Sequence, residues 1–578
     1  MQKLVKTSLA VFVSSMLAAC SGTGGGSFDV DNVEVTKSQA NNDDKNKTQD
    51  IKTEPRKEEA PIGETIMQPA LGYEVPIPRR NWHFRAKEAS AGFTKENVTA
   101  ITESSTEIPH FEEVKLLDDD GVGTVIYTHN PNGKATQKRD LDYVRSGYVY
   151  TFHSDRKFSE NIFKTGAAGY VYYRGTNPST AVPVSPTVTY QGTWDFVSDA
   201  VDGRDLEEKG FDTSLNPAGN RAGALSNDEN VYTETDAQHK TGHTSEFSVN
   251  FADKKLTGNL YKNQRPDYLT KKQEIIHRYS LEADISGNRF RGKADAKDSN
   301  DVLFGRNSDY LEGGFYGPNS EELAGKFLAN DNSLFVVFGA KREKVTDEKV
   351  EKVLDTVKID LNDFTAKSID NFGNATKLLI DGKEFSLLST NSDFTTNKVF
   401  NAEKNIRATI CCSNLDYVKF GILGEDKNNS LILQGERTAA KDIPTSGEVQ
   451  YKGTWDGYIS DSAVWSTNAS NKEGGSRANF NVDFGNKQIR GQLIAEERVD
   501  PTITILGSID QNGFTAKAST SANGFNIDPA NTGSSKIVHF KDVEVNGAFY
   551  GKNAAELGGS LYSSENKVGA VFGAKRQQ

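Results

Sequence analysis

Three cysteines, three methionines and eight histidines in 578 residues leave little for metal or redox chemistry to work with. His239 and His243 are four apart, but Lys240-Thr241-Gly242 between them reads as loop and no third ligand is placed nearby. No phosphate-cradling glycine loop opens a helix, no nucleophile elbow occurs, and no paired carboxylates sit on a recognisable scaffold. These absences point away from an enzyme, and no cofactor or metal is expected. No apolar run reaches the roughly 18 residues of a spanning helix, and mean hydropathy is −0.60. The strands are also too interrupted by charge for the regular apolar alternation of a membrane barrel. Basic charge is in deficit, with 68 Lys and Arg against 80 Asp and Glu. A net charge of −12 argues against nucleic acid, whose recognition needs a basic face.

What the chain has is glycine, 51 of them, and aromatic residues at 10%. Both suit many short strands joined by tight turns. It also has a repeat. Leu311 to Arg342 (LEGGFYGPNSEELAGKFLANDNSLFVVFGAKR) aligns without a gap to Val545 to Arg576 (VNGAFYGKNAAELGGSLYSSENKVGAVFGAKR), with 15 of 32 positions identical. Such self-similarity describes two related lobes in tandem. Alternation over short runs, punctuated by Gly and Asn, describes antiparallel β structure.

The start of the chain carries an address. Lys3 and Lys6 precede an apolar stretch from Ser8 to Leu17, and Leu17-Ala18-Ala19-Cys20 follows. This reads as a signal peptide over residues 1–19. Its end resembles the bacterial lipobox, which implies a mature chain beginning at a lipidated Cys20. Three acyl chains anchor stably where one does not, and Ser21 after the cysteine implies sorting to the outer membrane. Residues 20–67 are polar and Gly-rich, too poor in large apolar groups to offset their ordering entropy. They read as a flexible anchor peptide.

Order is expected from about Leu71, with strand-like runs at Phe111–Leu117, Gly123–Thr128 and Tyr143–Phe152. Asp118-Asp119-Asp120-Gly121 lacks the alternating ligands of a calcium loop and reads as a hairpin turn. After a proline hinge (Pro183, Pro186) comes Tyr190-Gln191-Gly192-Thr193-Trp194, and its twin is Tyr451-Lys452-Gly453-Thr454-Trp455. From that strand to Phe-Gly-Ala-Lys-Arg, each lobe holds about eight short strands, a natural number for a closed, filled barrel. Upstream, Leu141-Asp142-Tyr143-Val144 matches Leu415-Asp416-Tyr417-Val418. The expected architecture is all-β: two tandem lobes, each an antiparallel β handle domain followed by an eight-stranded antiparallel β-barrel. The boundaries read 68–185 and 186–343 for the first handle and barrel, 344–352 for a charged linker, and 353–446 and 447–578 for the second pair.

A lipobox, a polar anchor, the doubled barrel and the Gly-x-Phe-Tyr-Gly-x-Asn-x-x-Glu-Leu-x-Gly signature resemble the transferrin-binding protein B family of bacterial surface lipoproteins. The related lactoferrin-binding family carries long acidic runs in its second lobe, and none occurs between Glu351 and Gln578. The resemblance implies capture of iron-loaded host transferrin at the cell surface. It further implies delivery to a TonB-dependent outer-membrane receptor that imports the iron. The only membrane contact implied is the lipid anchor. Another host protein, lactoferrin or a haemoprotein, is the alternative ligand.

Comparing the lobes locates the contact. Tyr143 to Gly175 is 32 positions where Tyr417 to Gly435 is 18, and the longer stretch holds nine aromatic residues against two. A shared framework does not require that excess. Aromatics and arginine on a projecting loop are what a protein-binding hot spot uses. Phe163 is the leading anchor, followed by Tyr170, Tyr173 and Arg174, with Phe152 and Phe158 beside them. Tyr148, Tyr150 and Phe152 alternate as core strand residues also do. A second insertion, Asp202 to Thr244, reads as a long barrel loop. For Cys411 and Cys412 a vicinal disulfide and two buried thiols both stay open, with a structural role expected either way.

Overall fold

The computed structural model describes residues 71–103, 105–117, 125–128, 141–185, 187–204, 220–226, 233–234, 240–264, 266–342, 349–369, 375–380, 383–388, 393–461, 463–528 and 536–577. The signal peptide, Cys20, the anchor peptide, the Asp118–Gly121 turn, His239, and much of the Asp202–Thr244 insertion and of the linker lie outside them.

Two barrels dominate. The first runs through Val188–Ser198, Lys240–Asn250, Lys255–Asn263, Ile275–Ser286, Arg289–Ala296, Ser308–Tyr316, Glu322–Leu328 and Leu334–Arg342. All neighbours are antiparallel, and the last strand closes onto the first from Leu334↔Ser198 to Arg342↔Tyr190. The second repeats this order from Glu448–Asp461 to Val568–Arg576, closing from Tyr451↔Arg576 to Ile459↔Val568. Closure leaves no free sheet edge.

The repeated sequences do the same work in both barrels. The Tyr190 hydroxyl donates to the Ser320 carbonyl at 2.6 Å, as Tyr451 does to Ala554 at 2.7 Å. The Trp194 indole N–H donates to Tyr261 O and that of Trp455 to Ile494 O, both at 3.0 Å. Between them, a Cβ on Gly192 would lie 2.0 Å from Gly339 O, and one on Gly453 2.0 Å from Gly573 O. Only glycine admits that closing strand. The interiors are packed solid: Trp194, Phe247, Phe315 and Phe338 in one, Trp455, Phe480, Phe549 and Phe572 in the other. Each such ring contributes about 1.5–3 kcal/mol by leaving water.

Each barrel carries a handle sheet on its outer face. The first handle orders Thr99–Ile101, Gly72–Pro76, Ile162–Gly175, Val144–Lys157 and Ile126–Tyr127, and the second is a six-stranded sheet built around Leu354–Asp360, Asn428–Glu436 and Val418–Glu425. Val144, Tyr148 and Tyr173 pack on Tyr316, Phe335 and Val337, and Val418 and Phe420 on Tyr550 and Val571. A matching carboxylate in each lobe ties handle to barrel. Glu322 accepts the backbone N–H groups of Asp142, Tyr143 and Val144 at 2.6, 2.9 and 2.9 Å. Glu556 accepts those of Asp416, Tyr417 and Val418 at 2.6, 2.9 and 3.0 Å. The glutamate of the repeated Glu-Leu-x-Gly is therefore a junction residue. Between lobes, Val350–Lys352 pairs with Ala181–Pro183.

One expected strand is a helix. Phe111–Leu116 forms a single α-helical piece, with Glu112 and Glu113 in its first turn. Acids there meet the positive end of the helix dipole, and Phe111 and Val114, three apart, share one face against Val149 and Tyr172. Of the run Gly123–Thr128, the described strand is Ile126–Tyr127. Cys411 and Cys412 are bonded to each other and buried beside Leu415 and Phe420.

Candidate protein-binding surface

The inserted residues of the first lobe lengthen one hairpin. Val144–Lys157 and Ile162–Gly175 pair over fourteen positions, whereas Val418–Glu425 and Asn428–Glu436 pair over eight. The first strand is core up to Thr151 and then emerges, with Phe152 44% and Phe158 59% exposed. A short 3-10 turn, Phe158–Glu160, closes the tip, and Asn161 takes a left-handed conformation (φ 56°).

A second segment clamps this tip. Asn81 donates its side-chain N–H to Asn161 O at 2.8 Å and accepts the Phe163 N–H at 2.8 Å. The Trp82 N–H donates to Phe163 O at 3.0 Å. Arg80, itself buried, is paired with Asp202 at 2.6 Å. The rings then meet: Trp82 stacks on Phe163 with centroids 4.4 Å apart, Phe158 lies 5.8 Å from Phe163, and His83 bridges Phe84 and Phe158 at 4.6 and 5.8 Å. Three guanidinium groups sit over these faces, Arg221 on Trp82 (3.7 Å), Arg85 on Phe84 (5.2 Å) and Arg156 on Phe163 (5.6 Å). Phe84 is 80% exposed. A rigid aromatic and arginine cluster held open to solvent has the composition of an interface hot spot.

The expected contact residues divide. Phe158 and Phe163 come together at the tip, although Phe163 is half-buried by Trp82, while Phe152 lies back along the hairpin opposite Ala167 with its ring 5.8 Å from Tyr150. Tyr170 sits at a different place, stacked on His110 at 4.0 Å with its hydroxyl donating to Glu113 at 2.9 Å. His110 is gripped by Glu74 at 2.7 Å and Glu113 at 2.6 Å, and the Glu74 hydrogen bond raises its pKa to about 9. Burial followed by the Glu113 bond pushes the Tyr170 hydroxyl up to about 12. Tyr173 and Arg174 are corrected. Tyr173 is buried against the barrel, because its handle strand packs there on Tyr316, Phe335 and Val337. Arg174 is buried too, donating to the carbonyls of Glu103 and Glu107. Neither meets solvent.

Trp82 and Phe84 were missed. Their signal was available, since Arg79-Arg80-Asn81-Trp82-His83-Phe84-Arg85 alternates bases with aromatics, but it lies some eighty residues from the hairpin it joins. On the first barrel, Tyr268 and Leu269 are also exposed, 84% and 86%, on a turn held by Asp267 accepting the N–H groups of Leu269 and Thr270. His243 is a packing residue, its ring 4.4 Å from Trp194. Among the described residues there is no cluster of three or more metal-capable side chains, and no helix long and apolar enough to cross a membrane.

Two filled barrels, two handles and a projecting aromatic tip describe a β-rich protein that presents a protein-binding surface. The chain belongs to the transferrin-binding protein B family. Family models match in four pieces: the N-lobe handle over residues 47–179, the C-lobe handle over 351–438, and the lobe barrels over 182–342 and 443–576. It is 39% identical over 604 residues to a transferrin-binding protein B of Neisseria meningitidis serogroup B, covering 100% of this chain and 99% of that one. It is 39% identical over 507 residues to that of Moraxella catarrhalis, covering 78% and 70%. The solved structure of the vaccine antigen from Haemophilus parasuis Hp5, a point variant, matches with a TM-score of 0.78 at 38% identity, over 92% of this chain and 99% of that one. The isotype 1 protein of serogroup B Neisseria meningitidis also gives 0.78, at 40% identity, over 88% and 99%. The family is one of binding proteins, and the chain is not an enzyme.

Proposed function

We propose that this chain is a bacterial surface lipoprotein that captures iron-loaded host transferrin through its first lobe. The relatives named above are transferrin-binding proteins, which supports the ligand. The observation that carries the choice of lobe is the tip cluster of Trp82, Phe84, Phe158 and Phe163, in which Phe158 and Phe163 sit on a hairpin extension that the second lobe lacks. Lipid on Cys20 tethers the chain to the outer membrane, facing outward, and residues 20–67 supply reach. Cargo then passes to a TonB-dependent receptor, which extracts the iron.

The test immobilises the chain and offers iron-loaded and iron-free transferrin from candidate hosts, with lactoferrin and haemoglobin beside them. Preferential retention of iron-loaded transferrin, reduced by Phe84→Ala with Phe158→Ala, is the expected result. Equal retention of both transferrin forms, or retention of lactoferrin or haemoglobin instead, refutes the reading.

A further inference from the structure

The segment that carries Trp82 and Phe84 is a loop stitched at both ends to the first barrel domain. At its start, Arg79 pairs with Ala222, the Gly223 N–H donates to Pro78 O at 2.8 Å, and the Arg80 N–H donates to Arg221 O at 3.0 Å. At its end, Ser90–Ala91 pairs with Ala200–Val201, and the Asp202 N–H donates to Ala89 O at 2.8 Å. Across the loop, the Glu88 N–H donates to Asn81 O and the Asn81 N–H to the Glu88 carboxylate, both at 2.7 Å.

One side chain lies where these stitches meet. Arg80 is 2% exposed. Its guanidinium donates to the Asp202 carboxylate at 2.6 Å, to Glu88 O at 2.9 Å, and to both the backbone carbonyl and the side-chain oxygen of Asn220. A planar fork of five donors can hold three segments at once, which a lysine ammonium, a compact point charge, cannot. The segments are the far end of the loop and two barrel stretches, one ending at Asp202 and one beginning at Asn220. Both of its chain neighbours lead to the tip. Asn81 grips the hairpin through Asn161 O and the Phe163 N–H, and Arg221, beside Asn220, lays its guanidinium over Trp82 at 3.7 Å.

We propose that Arg80 is a positioning residue for ligand capture by the first lobe. It holds the Trp82–Phe84 loop and the barrel stretch bearing Arg221 in one arrangement against Phe158 and Phe163, and is too deeply buried to meet the ligand itself. This rests on the transferrin reading above. A surface ordered in advance avoids the cost of immobilising its side chains at the moment of binding. Without Arg80, the competent arrangement is occupied only part of the time, and apparent affinity falls by that fraction. Such a loss falls on association, whereas losing a direct contact mainly speeds dissociation.

The test compares the full chain with Arg80→Ala, Asp202→Ala and Lys87→Ala. Lys87 is the exposed second partner of Asp202, at 2.5 Å, and controls for charge alone. Trp82 reports its own placement: acrylamide quenching of each chain is read as the difference from the same chain carrying Trp82→Phe, since the protein has four tryptophans. Arg80→Ala is expected to raise the Trp82 quenching constant about twofold, Asp202→Ala to raise it less, and Lys87→Ala to leave it as it was. Association with iron-loaded transferrin is expected to slow about tenfold in Arg80→Ala and about threefold in Asp202→Ala, with dissociation unchanged. Unchanged quenching or unchanged association in both variants overturns the proposal, even where the melting temperature falls, because stability alone then explains the arginine. A loss carried by faster dissociation, or equal slowing in Lys87→Ala, overturns it too. Asp202→Ala, altered at an exposed carboxylate, decides the matter if Arg80→Ala does not fold. No capture by the natural chain refutes the transferrin reading instead, and the quenching comparison still decides whether Arg80 holds the tip.

Discussion

Glu322 offers a sharp test of how handle and barrel are joined. Its buried carboxyl accepts three backbone N–H groups of the handle, which favour the charged form, while burial favours the neutral one. Burial prevails and pushes the group up from 4.5 to about 7. Between those values the folded chain keeps a proton that the unfolded chain has released. The associated stabilisation is complete below about pH 4.5, declines as pH rises, and is gone above about 7. At about 1.4 kcal/mol per unit, the window of some 2.5 units amounts to ~3 kcal/mol. Glutamine keeps the shape without the titration. The stability of the natural chain relative to Glu322→Gln should therefore fall by ~3 kcal/mol from pH 4.5 to 7 and stay level beyond. Denaturant unfolding, followed through hydrogen exchange of the Val144 amide at several pH values, measures this. A relative stability that rises with pH would mean that the three donors hold the carboxyl below its ordinary value, and the reasoning would be wrong. Glu556, also pushed up to about 7, should behave alike in the second lobe.

Phe158→Ala should weaken transferrin capture by about 1–3 kcal/mol with no change in melting, whereas Phe163→Ala should also lower the melting temperature, because Phe163 stacks on Trp82; surface binding kinetics with parallel thermal scans separate the two. Tyr173→Ala should remove about 3–5 kcal/mol of first-lobe stability in denaturant titration, as expected of a large core ring, rather than act on binding directly. For His110, whose pKa is raised from 6.5 to about 9, the stabilising charge is fully present below about 6.5 and lost as pH rises through 9. His110→Gln should therefore cost more stability at neutral pH than above about pH 9, where only the loss of stacking on Tyr170 remains, and an imidazole titrating near 6.5 by NMR would refute the pairing.

Legibility followed the range of the interactions. The barrels were readable because their determinants are local and doubled: the inward Tyr and Trp, the glycine between them, and the closing Phe-Gly-Ala-Lys-Arg strand each recur in register. The helix at Phe111–Leu116 was not, since six residues carry too little periodicity to separate helix from strand, and its buried face is set by Val149 and Tyr172 far along the chain. Within the hairpin, alternation showed that some rings point inward but not where the strand leaves the barrel. Tyr173 and Phe152 thus read alike, and structure separates them, at 1% and 44% exposed.

Taken alone, the sequence determined the two-lobed plan, the eight-stranded barrels and the asymmetry that makes the first-lobe hairpin long. Those depend on repeat spacing and on residue types that act on their neighbours. Tertiary structure decided which rings reach solvent, that Trp82 and Phe84 join Phe158 and Phe163, and that the buried Arg80 ties the Trp82 loop to the barrel domain. Each of these joins segments tens to hundreds of residues apart, and their meeting is settled by how the sheets pack rather than by any local pattern.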